Sequence, residues 1–217
     1  MVEEYFQQLY TTTNPNEIGA VLDKVDRVFT PDLNQNLLQP YTPDEIKRAL
    51  LQMHPSKSPG LDGMSPFFFQ KYWNIVERDV TEVVLFVLHS GHFLQKMNYT
   101  HIVLIPKIKV PKTVADFRLI SLTNVISRSV SKVIANWLKL ILPNVILDSQ
   151  SAFVPNHLIT DNTTVAFEVL HRMRNKRIGR KGQITIKLDI SKSYDPAEWG
   201  FLRNIMINWA LMFDGFN

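Results

Sequence analysis

Apolar residues recur at intervals of three and four through most of this chain and alternate with polar ones in only three short stretches, so helices should dominate. The clearest start follows Tyr41. Thr42 is suited to an N-cap, Pro43 to the first helical position and Glu45 to completing a capping box, ahead of a stripe of Ile46, Ala49, Leu50 and Met53. A second stripe, Val80, Val83, Val84, Val87 and Leu88, ends at Gly91. A third runs from Asn124 to Leu142 through Val125, Ile126, Val130, Val133, Ile134, Trp137, Leu138 and Ile141, and Pro143 is expected to stop it. Trp137 on that stripe reads as core. A fourth passes through Val165, Val169, Leu170 and Met173, with Thr160 or Asp161 as its cap. The last follows Asp195-Pro196-Ala197-Glu198, another capping pattern, and carries Phe201, Leu202, Ile205, Met206, Trp209 and Phe213.

Two of the alternating stretches, Ile102–Ile105 and Asp116–Ile120, read as strands of a hairpin whose loop carries Lys107, Lys109 and Lys112. The third, Ile184–Ile190, turns its isoleucines and Leu188 to one face and Thr185, Lys187 and Asp189 to the other. An acid on the polar side of a strand that leads into a helix suggests a site. Ser58-Pro59-Gly60-Leu61-Asp62-Gly63 is a turn cluster, and it lacks the Lys-Ser/Thr ending of a phosphate-binding P-loop. The fold class expected is α+β, mostly helical, with residues 1–40 a helical lead-in and residues 41–217 the main body.

Composition narrows the chemistry. At 217 residues, 45% hydrophobic and 20% charged, the chain has the make-up of a folded domain. It contains no Cys, which removes disulfides, thiol nucleophiles and cysteine zinc sites. Its longest apolar run, Val83–Leu88, is too short to span a bilayer, and with no targeting signal seen the expectation is a soluble intracellular protein, nuclear or cytoplasmic. Charge is divided unevenly. Residues 1–100 hold 8 Lys and Arg against 12 Asp and Glu, a net −4, while residues 101–217 hold 16 against 8, a net +8. The densest part, Arg172, Arg174, Lys176, Arg177, Arg180 and Lys181, has six cations and no acid. Cations at a helix C-terminus complement its dipole, but six exceed that need and point to a nucleic-acid backbone.

Leu188-Asp189-Ile190-Ser191-Lys192-Ser193-Tyr194-Asp195 resembles the first palm motif, Leu-Asp-x-x-Lys-Ala-Tyr-Asp, of reverse transcriptases from plant-like non-LTR retrotransposons. Further blocks of that family follow the expected order: Lys57–Gly63, Leu104-Ile105-Pro106-Lys107, Phe117–Leu122 and Ser149–Pro155. The resemblance implies the fingers and part of the palm of a right-hand polymerase, truncated at both ends. It implies Mg2+, deoxynucleoside triphosphates, an RNA template and a DNA primer. Asp189 would be a bridging metal ligand, assisted by the carbonyl of Ile190. Lys107 and Arg118 would meet the triphosphate, Gln150 and Phe153 would lie near template and nucleotide, and Tyr194 would pack under the sugar.

The family's Tyr/Phe-x-Asp-Asp hairpin has no counterpart here, and after Glu198 the one acid is Asp214. A single aspartate cannot hold two cations about 4 Å apart. The expectation is therefore a chain inactive alone, with a non-catalytic RNA-binding module or a relic without function as alternatives. Departures from the family pattern agree: Leu119 for Pro, Ser193 for Ala, Pro196 for a long basic residue, and Asn156-His157 for Gly-Arg.

Overall fold

A computed structural model describes residues 2–12, 18–25, 29–147, 149–151, 154, 156–176, 184–186, 188 and 197–209. The order is α1 (Val2–Tyr10), α2 (Ile18–Leu22), α3 (Pro31–Leu37), α4 (Pro43–Leu51), α5 (Pro66–Lys71), α6 (Trp73–Ser90), α7 (Gln95–Asn98), β1 (Thr100–Pro106), β2 (Phe117–Thr123), α8 (Val125–Val145), α9 (Ile159–Asn175) and α10 (Trp199–Asn208). The protein is mostly helical with one small sheet among the described residues, as the periodicity predicts.

Local chemistry explains where the helices start. Thr42 accepts from the Glu45 amide at 3.3 Å, and the Glu45 carboxylate accepts from the Thr42 amide at 2.8 Å, with Pro43 at the first position. α3 and α5 repeat the proline start behind Thr30 and Ser65. Gly91 ends α6 at φ 67°, a left-handed cap that a side chain would strain.

The core lies where α4, α6 and α8 meet. Ile46, Ala49 and Leu50 of α4 face Val80, Val84, Val87 and Leu88 of α6 and Val125, Val130, Val133, Trp137 and Ile141 of α8, all buried. Each large side chain removed from water there contributes about 1.5–3 kcal/mol before the entropy of ordering it is counted. Gln70 of α5 donates to the carbonyls of Leu50 and Met53 at 2.9 and 2.8 Å, closing the open end of α4. α10 folds back onto the first elements: Asn208 Nδ2 donates to Leu22 O at 3.0 Å, and Phe29 N donates to Trp209 O at 3.0 Å.

β1 and β2 pair antiparallel from Thr100 opposite Thr123 to Pro106 opposite Phe117. The hairpin is thus the predicted one, with longer arms.

Four local expectations need correction. Pro143 does not stop α8, which runs on to Val145. The missing N–H costs only the bond to the exposed Lys139, and Ile146 N still donates to Leu142 O at 3.0 Å. α9 begins at Ile159, so neither Thr160 nor Asp161 is its cap; Asp161 instead reaches back to accept from the Leu158 amide at 2.8 Å. α10 begins only at Trp199, with Glu198 at the cap, where its carboxylate accepts from Thr12 Oγ1 at 2.6 Å. Asp195 and Pro196 themselves lie outside the described residues. Finally, residues 184–186 and 188 are not in a strand, and Ile184 and Leu188 are 88% and 86% exposed. A strand exists only through hydrogen bonds to a neighbour, and the described sheet ends at β1 and β2.

Candidate nucleotide and nucleic-acid site

The hairpin builds one half of the site. Its pleat turns Phe117 and Leu119 inward while Arg118 and Ile120 stay exposed. Arg118 stands opposite Ile105, two positions before Lys107. Lys107 N extends the ladder by donating to Asp116 O at 2.7 Å, and Lys107 Nζ crosses the loop to Ala115 O at 2.9 Å. That bond leaves two ammonium donors for a ligand. The Arg118 side chain makes no hydrogen bond among the described residues.

Asp116 holds the loop in shape. Its carboxylate accepts from Thr113 N at 2.8 Å, Lys112 N at 2.9 Å and Thr113 Oγ1 at 3.1 Å. These bonds, led by the Thr113 and Lys112 amides, keep the carboxyl below its ordinary pKa, with a smaller contribution from the charge of Lys107.

Lys107 and Arg118 meet at one cleft of about 280 Å³, lined also by Val114, Phe117, Leu119, Tyr5 and Phe6. Sequence reasoning brought the two cations together but missed the aromatics of α1. The signal was faint: Tyr5, Phe6 and Tyr10 cluster in a segment with no other chemistry, and their rings pack edge-on at 5.1 Å and stacked at 6.3 Å.

The other candidates are not gathered there. Gln150 sits in the turn beyond α8, its amide donating to Leu147 O at 2.9 Å and its carbonyl 2.7 Å from His157 Nδ1. Arg172 and Arg174 occupy the last turn of α9 and Lys176 follows it, all exposed. The apolar stripe of α9 is exposed too, Val165 by 60% and Leu170 by 54%. Phe153, Arg177, Arg180, Lys181, Asp189, Ile190 and Tyr194 lie outside the described residues. Among the described residues no three His, Asp or Glu side chains gather closely enough to hold a metal ion. His89 and His92 do not share a helix face, because α6 ends between them; each ring contacts a nearby backbone carbonyl, at 2.8 and 2.7 Å. No helix among the described residues is long and apolar enough to cross a membrane.

Residues 106–212, which begin at the end of β1 and run through α8, α9 and α10, match the family described as reverse transcriptase (RNA-dependent DNA polymerase). The chain is also similar to the Transposon TX1 uncharacterized 149 kDa protein of Xenopus laevis, 30% identical over 200 residues that make up 91% of this chain and 15% of that protein. It carries a truncated reverse transcriptase domain of non-LTR retrotransposon type. Two further relatives are retrovirus-related Pol polyproteins. One, from type-1 retrotransposable element R2 of Nasonia vitripennis, is 27% identical over 76% of the chain and 15% of the relative. The other, from type-2 retrotransposable element R2DM of Drosophila melanogaster, is 22% identical over 88% and 17%. The chain thus spans less than a fifth of the curated relatives it matches. Every position singled out for nucleotide, metal or nucleic acid falls inside the matched span.

Proposed function

We propose that this chain is the fingers and first palm segment of an RNA-directed DNA polymerase, and that its hairpin receives the triphosphate of an incoming deoxynucleotide. The observation that carries this is the convergence of Lys107 and Arg118 on one cleft at the hairpin. An ammonium and a fork-shaped guanidinium suit a polyphosphate, the first as a point charge and the second through paired donors. In this reading Gln150 and Phe153 lie along template and nucleotide, Tyr194 supports the sugar, and Arg172, Arg174, Lys176, Arg177, Arg180 and Lys181 follow the nucleic-acid backbone. Mg2+ would be held by Asp189 and the carbonyl of Ile190, supplying charge neutralisation for the phosphates. With no Tyr/Phe-x-Asp-Asp pair in its sequence, this chain does not extend a primer by itself.

Binding of a fluorescent deoxynucleoside triphosphate tests the hairpin. Lys107→Ala and Arg118→Ala should each weaken it about tenfold, the loss of one charge-assisted contact. Unchanged affinity in both variants would refute the assignment. Primer extension on an RNA template tests the second half: product formed by this chain and abolished by Asp189→Ala would refute its inactivity.

A further inference from the structure

The cleft that holds Lys107 and Arg118 has a second wall, supplied by a part of the chain ahead of the matched span 106–212. α1 is amphipathic. Tyr5, Phe6 and Leu9 recur at helical spacing and are half-buried, while Glu4, Gln7, Gln8 and Thr11 lie together on the opposite side and line a separate polar hollow. Neither Glu3 nor Glu4 of the first turn lines the cleft, which is bounded by two cations and by aromatic and aliphatic side chains, with no acid among the described residues.

α1 is also held at its other end. Thr12 Oγ1, just beyond the helix, donates to the Glu198 carboxylate at the cap of α10 at 2.6 Å, and α10 is bonded in turn to Leu22 O through Asn208. The helix therefore bridges from the hairpin to α10, and its aromatic face is presented to the cleft from a tethered element.

The rings themselves show what that wall can do. Tyr5 and Phe6 meet edge-on, with 84° between ring planes and 5.1 Å between centroids, so the pair offers flat faces in two directions. Both keep part of their surface open, whereas rings placed only to pack the hairpin would be covered. A space of about 280 Å³ is at the small end of ligand pockets, so one nucleotide-sized ligand can touch both walls. Open aromatic surface opposite two cations suits a molecule that is anionic at one end and flat at the other. Its phosphates gain charge-assisted bonds, and its base gains by stacking.

We propose that Tyr5 and Phe6 form a stacking wall for the base of the nucleoside triphosphate whose phosphates Lys107 and Arg118 hold. The wall deepens the polymerase reading and rests on it for the identity of the ligand. Every base has a π face, so the wall adds affinity without selecting one base.

The test is calorimetric titration of the full chain with two ligands, deoxyadenosine triphosphate and inorganic tripolyphosphate, the second having no base. Tyr5→Leu/Phe6→Leu keeps apolar bulk and good helix formers on α1. It should weaken deoxyadenosine triphosphate about tenfold, the loss of one base–aromatic stack, and leave tripolyphosphate unchanged. Lys107→Ala should weaken both ligands. An equal loss of both in the leucine variant would show that the rings only support the hairpin, and an unaltered affinity for deoxyadenosine triphosphate would show that no base rests on them; either result overturns the wall. Failure of the polymerase reading appears separately, in binding of both ligands that Lys107→Ala and Arg118→Ala leave unaltered.

Discussion

Trp137 donates its indole N–H to Glu45 Oε1 at 2.8 Å, joining α8 to the first turn of α4 across 92 positions of sequence. The other oxygen of the same carboxylate accepts from Thr42 N and Thr42 Oγ1, at 2.8 and 3.0 Å. One side chain thus caps a helix and fixes how it packs on its neighbour, while Tyr41 lies against the indole at 4.5 Å between ring centroids. Glu45→Ala should cost about 2 kcal/mol, combining a lost cap with a part-buried N–H left without an acceptor. Glu45→Gln keeps an acceptor and should cost less. Urea unfolding measures both, and equal losses would show that the indole bond contributes nothing.

Gly60 faces Asn124 so closely that no side chain fits. Gly60→Ala should destabilise the protein by about 1–3 kcal/mol, the usual cost of overpacking, because backbone atoms of Asn124 would have to move. Gly63 has open space around it but a φ of 69°, so Gly63→Ala should cost about 1 kcal/mol through backbone strain alone. Thermal melts of the two variants should therefore differ, with Gly60→Ala the lower.

The Asp116 carboxyl gives the hairpin loop a defined response to acid. Its folded pKa lies below the ordinary 3.8, so the stabilisation it supplies is complete above that value and is lost as pH falls through the lower folded value. The amides of Lys112 and Thr113 should stay protected from hydrogen exchange at neutral pH and lose protection only below pH 3.8. In Asp116→Asn the acid-dependent step should vanish. Titration of Asp116 at or above 3.8 would contradict the hydrogen-bond account.

Asn156 holds φ at 67° where the family pattern has glycine. Asparagine is among the few side-chain residues that accept this conformation, so the departure from the pattern preserves the turn. Asn156→Gly should leave stability within a few tenths of a kcal/mol, whereas Asn156→Val should cost about 1–2 kcal/mol. Chemical denaturation of the pair decides it; equal stability would mean the turn relaxes to another conformation.

The helices and the hairpin were legible in sequence because their determinants lie within a few residues of one another. Thr42 finds Glu45, Gly91 ends α6, and the stripe from Val125 to Ile141 needs only helical spacing to point inward. Helix starts were less legible at α9 and α10, which begin at Ile159 and Trp199 rather than behind the residues that the local pattern suggests as caps. The family, too, could be read from ordered blocks, since such motifs record chemistry rather than packing.

What the sequence determined by itself is therefore the kinds of element, the starts of α4 and α8, the excess of cations in the second half and the kinship with reverse transcriptases. The tertiary structure alone decided that Tyr5 and Phe6 share a cleft with Lys107 and Arg118, that Gly60 packs against Asn124, and that residues 184–186 and 188 stay out of a sheet. Those outcomes turn on which distant backbone or side chain is available as a partner, and no local pattern of polar and apolar residues carries that information.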